Sequence, residues 1–418
     1  MEVNFQISLE AAIKFLEFNA DAWEIFREVE VKKALRIERG KIKHLAEERE
    51  EGVAIRAIVD GKVGFSFTTD PEALLDACNR AIKISKISEE SMSDFPEGGY
   101  SRVEGIRGRI DGDWLKDAGE SIISVSAEKG VNAAQGVVEA SKIRKEILNS
   151  SGAELSSEET FLSAFIECVF EEGSAYDFAS GRESIDLERM VMNASNFAIH
   201  SARGSRIEAG KYEVVLSPLA VHQLFYHALY PAFSMENVMR GRSVLADKLG
   251  EKIFSDITLI DDGRADGLFM STPFDDEGNP TDRTTIVEDG VLKEFLRDWK
   301  WANESSQPPT GNGIRQERNS YPAILPTNVI IEAEEEKEFE KALYIHSFTG
   351  AHTSNPISGD FSIEISPAIL DDKPIKTGMF YGNIHDLLTK IDYGGKERVQ
   401  VENTYTSWLK FSGLQIRG

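Results

Sequence analysis

The spacing of apolar positions changes several times along the chain. Over residues 9–20, "LEAAIKFLEFNA", Ala11, Ala12, Phe15 and Leu16 recur at helical spacing behind Ser8, a natural N-cap. From Val29 to Asp70 the pattern becomes one of short alternating segments, punctuated by Gly40, Gly52 and Asp60-Gly61. That predicts an antiparallel meander whose clearest hairpin turn is Asp60-Gly61. Asp70 then caps a helix over "EALLDACNRAIKI", with Pro71 at its first position. Residues 87–105 are rich in Ser, Glu, Gly and Pro, have no period and read as a linker.

After the linker the order repeats. A helix near 113–129 precedes strand-like segments at 132–142, 144–148, 153–157 and 160–170, and a helix near 184–202 follows. The first half is therefore a helix–meander–helix unit twice, without residue-level identity between the copies. From about 207 the texture changes. "GKYEVVLSP" reads as a strand that stops at Ser217-Pro218, and a helix is expected over 218–230. Residues 255–418 read as many strands, with turns at Asp262-Gly263, at 276–280 and at Asp289-Gly290. The loops 307–317 and 352–360 are binding elements or plain connectors. The expected class is α+β in two domains: 1–206, holding the two units, and 207–418, β-rich with few helices.

Composition narrows the function. The chain has 418 residues, 41% hydrophobic, and a formal net charge of −24. Such a surface repels phosphate backbones, so nucleic acid is not an expected partner. Cys78 and Cys168 lie in apolar stretches without a C-x-x-C motif and are expected to be buried thiols. The first residues show no basic region ahead of an apolar core, and no run of eighteen apolar residues occurs. A cytoplasmic protein with no membrane partner is the expectation.

Candidate chemistry centres on "VHQLFYHALYP", 221–231. His222-Gln223 with His227 imitates H-E-x-x-x-H, the zinc-protease helix, but Gln223 cannot take a proton. Residues five apart lie about 140° apart on an ideal helix, so His222 and His227 would share a metal only on a distorted one. Otherwise Val221, Leu224, Phe225, Ala228 and Leu229 form a core face with the histidines at its edge. His346 and His352 could add loop ligands, though no spacing supports it. Asp275, Asp276, Glu277 and Asp282 around Gly278 do not follow the order of a calcium loop and read as a solvated hairpin turn.

Four stretches then carry a family resemblance, in order and across nearly the whole chain. "STPFDDEGNPTDRTTIVEDGVLKEFLRD", 271–298, resembles the hallmark stretch of the TldD/PmbA family, whose members are also called TldD/TldE or modulators of DNA gyrase. "TGNGIRQ", 310–316, "ISGDFSIEISPAIL", 357–370, and "VDGKVGFSFTTDPEALLDACNRAI", 59–82, match further segments. In the TldD-like branch H-E-x-x-x-H and a C-terminal cysteine bind zinc for peptide hydrolysis. The PmbA (TldE) branch lacks that site and partners the active subunit.

Register between "EVVL", 213–216, and "SVLADKLGEKI", 243–253, places the six motif positions on 226–231. The first ligand position is then Tyr226, the glutamate position His227 and the second ligand position Pro231. No cysteine follows Cys168, and Thr406 lies near where the third ligand would fall. "LFYH", 224–227, resembles the PmbA-type sequence there.

The resemblance thus implies a PmbA/TldE-like chain that is non-catalytic and carries no cofactor. Its partner would be a zinc-bearing H-E-x-x-x-H homologue of the TldD type, or a second copy of itself, acting on extended peptides. It also implies a peptide chamber in the C-terminal domain, with Phe274, Asn312, Gly313, Asp360 and Phe361 as candidates to face it, or else as core and turn residues. Two alternatives stay open: an active metallopeptidase homodimer using His222, His227 and a loop histidine, and a regulatory protein acting on gyrase or a toxin–antitoxin system.

Overall fold

The computed structural model describes residues 2–108, 112–333, 337–339 and 341–418. It is a mixed α+β structure, as its sequence pattern predicts. In the first half, α1 (Glu2–Asn19), β1 (Ala22–Glu38), β2 (Lys41–Val59), β3 (Lys62–Thr68) and α2 (Leu74–Ser85) form one unit. The second comprises α3 (Gly112–Glu128), β4 (Asn132–Asn149), β5 (Glu154–Phe170), β6 (Gly173–Gly181) and α4 (Leu187–Ala202). The two meanders share one antiparallel sheet of order β3-β2-β1-β4-β5-β6, joined through β1 and β4.

The strands are longer than the sequence suggests. β2 runs for 19 residues straight through Gly52, and β4 for 18 through the expected break at Ile143. Gly52 does not turn the chain; a Cβ there would meet the Phe67 ring at 2.5 Å, so the residue makes room for a neighbour on β3. The hairpin at Asp60-Gly61 does form, with φ of 52° and 72°. Asp70 caps the next turn through Glu72 N, but Pro71–Ala73 is a 3₁₀ turn leading into α2. Ser8 falls inside α1 instead of at its start.

The four helices cover one face of this sheet in two clusters. Leu16, Ile25, Ile55 and Cys78 centre one, and Leu35, Val138, Ile166 and Val191 the other. Each unit brings a helix onto its outer strand at a glycine. A Cβ on Gly64 would lie 2.0 Å from Ala81 O, and one on Gly173 2.4 Å from Ala198 O. These contacts are with backbone and cannot swing away. Gly64→Ala is expected to lower stability by about 1–3 kcal/mol in chemical denaturation; an unchanged midpoint would contradict the close approach.

In the second half, strand Lys373–Asn383 pairs with Ala368–Leu370 and also with Leu409–Arg417. With Leu343–Ile345 and Gly210–Leu216 between them, five strands close into a small barrel. Closure leaves those strands no free edges. A second six-stranded sheet, containing Ile257–Asp262, Val329–Ala333 and Thr404–Thr406, packs beside it. Helix α5 (Pro218–Ala228) starts where expected, with Ser217 Oγ accepting from Ala220 N and Pro218 in the first turn. It ends two residues early, because Tyr230–Phe233 tightens to a 3₁₀ turn around Pro231. Val221, Leu224, Phe225 and Ala228 are fully buried in the core that joins barrel and sheet.

Residues 87–105 are no loose linker. Phe95 is buried, Asn149 Nδ2 donates to Pro96 O at 2.8 Å, Gly99 N to Gly278 O at 3.1 Å and Ser101 N to Pro273 O at 2.8 Å. The segment is a strap tying the first sheet to the second half. Its sequence lacks a period because its order comes from these two neighbours.

Candidate functional site

The motif register falls on the last turn of α5 and the 3₁₀ turn after it. His222 is buried, with Nδ1 2.9 Å from Thr404 Oγ1 and Nε2 3.2 Å from Glu402 Oε2. Tyr230 OH shares the same hydroxyl, 2.7 Å from Thr404 Oγ1. Hydroxyl, imidazole and carboxylate in a row resemble a nucleophile relay. Thr404 is fully buried, however, so no substrate carbonyl can reach its Oγ1. The pairing with His222 holds the Glu402 carboxyl below its usual range.

Tyr226 lies between the two histidine rings, 5.5 Å from His222 and 5.1 Å from His227 by ring centroid. His227 faces a cavity of about 360 Å³ whose near wall is Tyr226, His227 and Pro231 and whose far wall includes Leu325, Pro326 and His352. The His227 and His352 rings are 6.5 Å apart. Burial first, then the neighbouring His222 and His352, pushes the His227 imidazole below its usual range and keeps it neutral.

These residues do not fit the zinc of an H-E-x-x-x-H site. Burial and the Glu402 charge push the Tyr226 phenol up, away from a metal-binding phenolate. Pro231 offers no donor atom. Thr406 is buried, and its hydroxyl donates to Ser407 O at 3.1 Å. Among the described residues no group of three or more His, Cys, Asp or Glu is placed to hold a metal ion. His346 stands elsewhere, with Nε2 2.8 Å from Tyr176 O and its ring stacked on Phe197 at 4.3 Å. Of the loop histidines considered as ligands, only His352 shares the cavity with His227, while His222 turns to Thr404 and Glu402.

Four of the five chamber candidates lie in the interior, so for them the core-and-turn alternative holds and the chamber-facing one does not. Phe274 is fully buried among Phe26, Ala54, Ile147 and Leu155. Phe361 packs on Phe380 at 4.9 Å. Asn312 Nδ2 donates to Asp261 Oδ2 at 2.8 Å, and a Cβ on Gly313 would strike Glu277 Oε2 at 2.3 Å. Asp360 is exposed, on a different groove from the cavity of His227, where it accepts from Asn383 Nδ2 at 2.9 Å.

The acidic hallmark also departs from expectation. Only Asp282 is exposed; Asp275, Asp276 and Glu277 are 1–3% exposed. Arg56 of β2 forks onto Glu24 of β1 at 2.9 and 2.6 Å and reaches Glu277 at 2.7 Å. Lys145 of β4 donates to Asp276 Oδ1 at 2.7 Å, and Arg315 Nη2 to Glu24 at 3.0 Å. Arg182 meets Glu159 at 3.2 Å, and Glu159 accepts from Thr272 Oγ1 at 2.8 Å. The hallmark is therefore a buried charge lattice that nails the second half to the helix-free face of the first sheet. Neutralising partners make such burial tolerable.

The lattice has a pH consequence. Asp298 caps the helix Trp299–Ser305 through Trp301 N, and burial followed by the Glu277 charge pushes its carboxyl up. A raised folded-state value favours the folded protein while the group is protonated, and that stability is lost as pH climbs through the raised value. Asp298→Asn keeps a capping oxygen but cannot ionise. Between about pH 5 and pH 9 the wild type should lose more stability than Asp298→Asn; parallel pH profiles would contradict this.

A scaffold of one duplicated sheet locked onto a barrel-bearing half, with Tyr226 and His227 at a cavity beside the end of α5, defines a class. Three domain models of the PmbA/TldA metallopeptidases match the chain: domain 1 over 23–85, the central domain over 109–202 and the C-terminal domain over 209–418. The chain belongs to the PmbA/TldD family. An uncharacterized protein of Methanocaldococcus jannaschii is 34% identical over 80% of this chain and 82% of its own length. A metalloprotease of Methanothermobacter thermautotrophicus is 26% identical over 86% and 84%. The crystal structure of TldE from Thermococcus kodakarensis superposes with a TM-score of 0.90 at 27% identity, covering 98% of this chain and all of the other.

Sequence reasoning missed Glu402, Thr404 and Tyr230 around His222. Thr404 lies 182 positions from His222, and no local pattern marks the pair.

Proposed function

We propose that this chain is the non-catalytic, TldE-like subunit of a TldD/TldE-type metallopeptidase that acts on extended peptides in the cytoplasm. The observation that carries the reading is the occupancy of the motif register. Tyrosine, histidine and proline stand where ligand, base and ligand are required, and His222 next door is taken by Thr404 and Glu402. No His-Glu pair occurs anywhere in the sequence. The cavity against His227, about 360 Å³ with apolar Leu325 and Pro326 in its lining, falls in the size range of ligand pockets and supports this reading. Zinc and the general base would come from a partner chain carrying H-E-x-x-x-H.

The experiment is co-expression with such a homologue from the same genome. A stable complex of the two chains is expected by size-exclusion chromatography. Recovery of each chain only with itself would overturn the assignment.

A further inference from the structure

The cavity beside His227 offers more than its motif positions. Its volume of about 360 Å³ is space for about a dozen waters. Three polar side chains in its lining are unengaged. The Tyr226 hydroxyl and the imidazoles of His227 and His352 make no hydrogen bond or ion pair among the described residues. None of these groups is sealed in the interior, so each can meet a ligand. A phenol and an imidazole both donate and accept, which complements the N–H and C=O of a peptide unit.

Charge in the lining argues against an ionised ligand. Among the described residues Glu236 is the only Asp or Glu there, and no Lys or Arg joins it. Glu236 Oε1 is already paired with Arg240 Nε at 2.9 Å. The Glu402 charge acts on both Tyr226 and His227 from nearby. A ligand carboxylate would therefore meet no cation and a neighbouring anion, and a ligand ammonium would find Glu236 taken. Either would lose its hydration without a partner in return. Pro231, Ile324, Leu325 and Pro326 supply apolar surface instead. The Tyr226 and His227 rings meet edge to face at 5.1 Å, and His227 and His352 do so at 6.5 Å. Another aromatic ring extends that arrangement.

We propose that this cavity is a specificity pocket for an uncharged apolar side chain, above all phenylalanine, whose flanking amides meet Tyr226 and His227. The binding stands on the cavity itself. That the side chain belongs to a peptide undergoing hydrolysis rests on the subunit reading above.

The test uses the full chain alone and needs no peptidase activity. N-acetyl-phenylalanine amide should bind saturably in calorimetry, with Kd of about 1 mM. N-acetyl-glycine amide has the same amides without the side chain and should bind at least about tenfold more weakly. N-acetyl-aspartate amide and N-acetyl-lysine amide, which carry charge, should fall at least about tenfold below the phenylalanine probe as well. Leu325 is half-buried, and Leu325→Asp should weaken that probe at least about tenfold. In the wild type, the imidazole NMR signals of His227 and His352 should shift on adding it, a readout that survives if the variant misfolds. Imidazole signals that stay put, or charged probes that bind as well as phenylalanine, would overturn the proposal and leave complex formation with an H-E-x-x-x-H homologue untouched. Phenylalanine selectivity in a chain that forms no such complex would overturn the subunit reading alone.

Discussion

Arg56→Met is expected to destabilise the protein by about 3–5 kcal/mol, enough to leave much of it unfolded. Arg56 is fully buried and holds Glu24 through two hydrogen bonds and Glu277 through a third. Methionine fills similar volume but leaves both carboxylates in the interior without that cation. Arg315 still reaches Glu24 at 3.0 Å, whereas Glu277 keeps only the Trp299 N–H at 2.7 Å. Adding Glu277→Gln to Arg56→Met should therefore recover part of the loss, because an amide costs less to bury than an unpaired charge. Arg56→Lys should not rescue fully, since an ammonium cannot reproduce the fork. Denaturant titration reads all three. An Arg56→Met variant within about 1 kcal/mol of wild type would mean that the lattice does not hold the halves together.

That lattice was the least legible feature of the sequence. Asp275, Asp276 and Glu277 sit beside Gly278 and Pro280, and local polarity says solvent. Their burial is decided by Arg56, 221 positions from Glu277, and Lys145, 131 positions from Asp276. No window-based pattern connects such residues. Elements set by nearby chemistry were legible: the Asp60-Gly61 hairpin, the Asp70-Pro71 start and the Ser217-Pro218 entry to α5. Strand lengths were not, because Gly52 passes through β2 and the charged positions 47–51 face outward or find ion-pair partners across the sheet. The site divided in the same way. Register alone singled out Tyr226, His227 and Pro231, which the structure sets in the lining of one cavity, but the neighbours that hold His222 come from a distant strand and its preceding turn.

The second large effect belongs to the proposed complex. In a complex of this chain with an H-E-x-x-x-H homologue, replacing the homologue's motif glutamate by glutamine should cut peptide hydrolysis by about 10²–10⁴-fold, the usual contribution of a general base. His227→Ala in this chain should change kcat by less than about twofold, because in the proposed register its imidazole stands at the base position without a metal-ligand pair beside it. His222→Ala should lower stability through the lost Thr404 and Glu402 contacts and spare kcat. A loss in His227→Ala comparable to that of the homologue's glutamate variant would assign chemistry to this chain.

Zinc content of the chain purified alone, without added metal or chelator, is the most direct measurement. The account predicts far less than one zinc per chain, unchanged in His227→Ala, and about one zinc per heterodimer once the homologue is present. Near-stoichiometric zinc in the isolated chain, lost in His227→Ala, would contradict it.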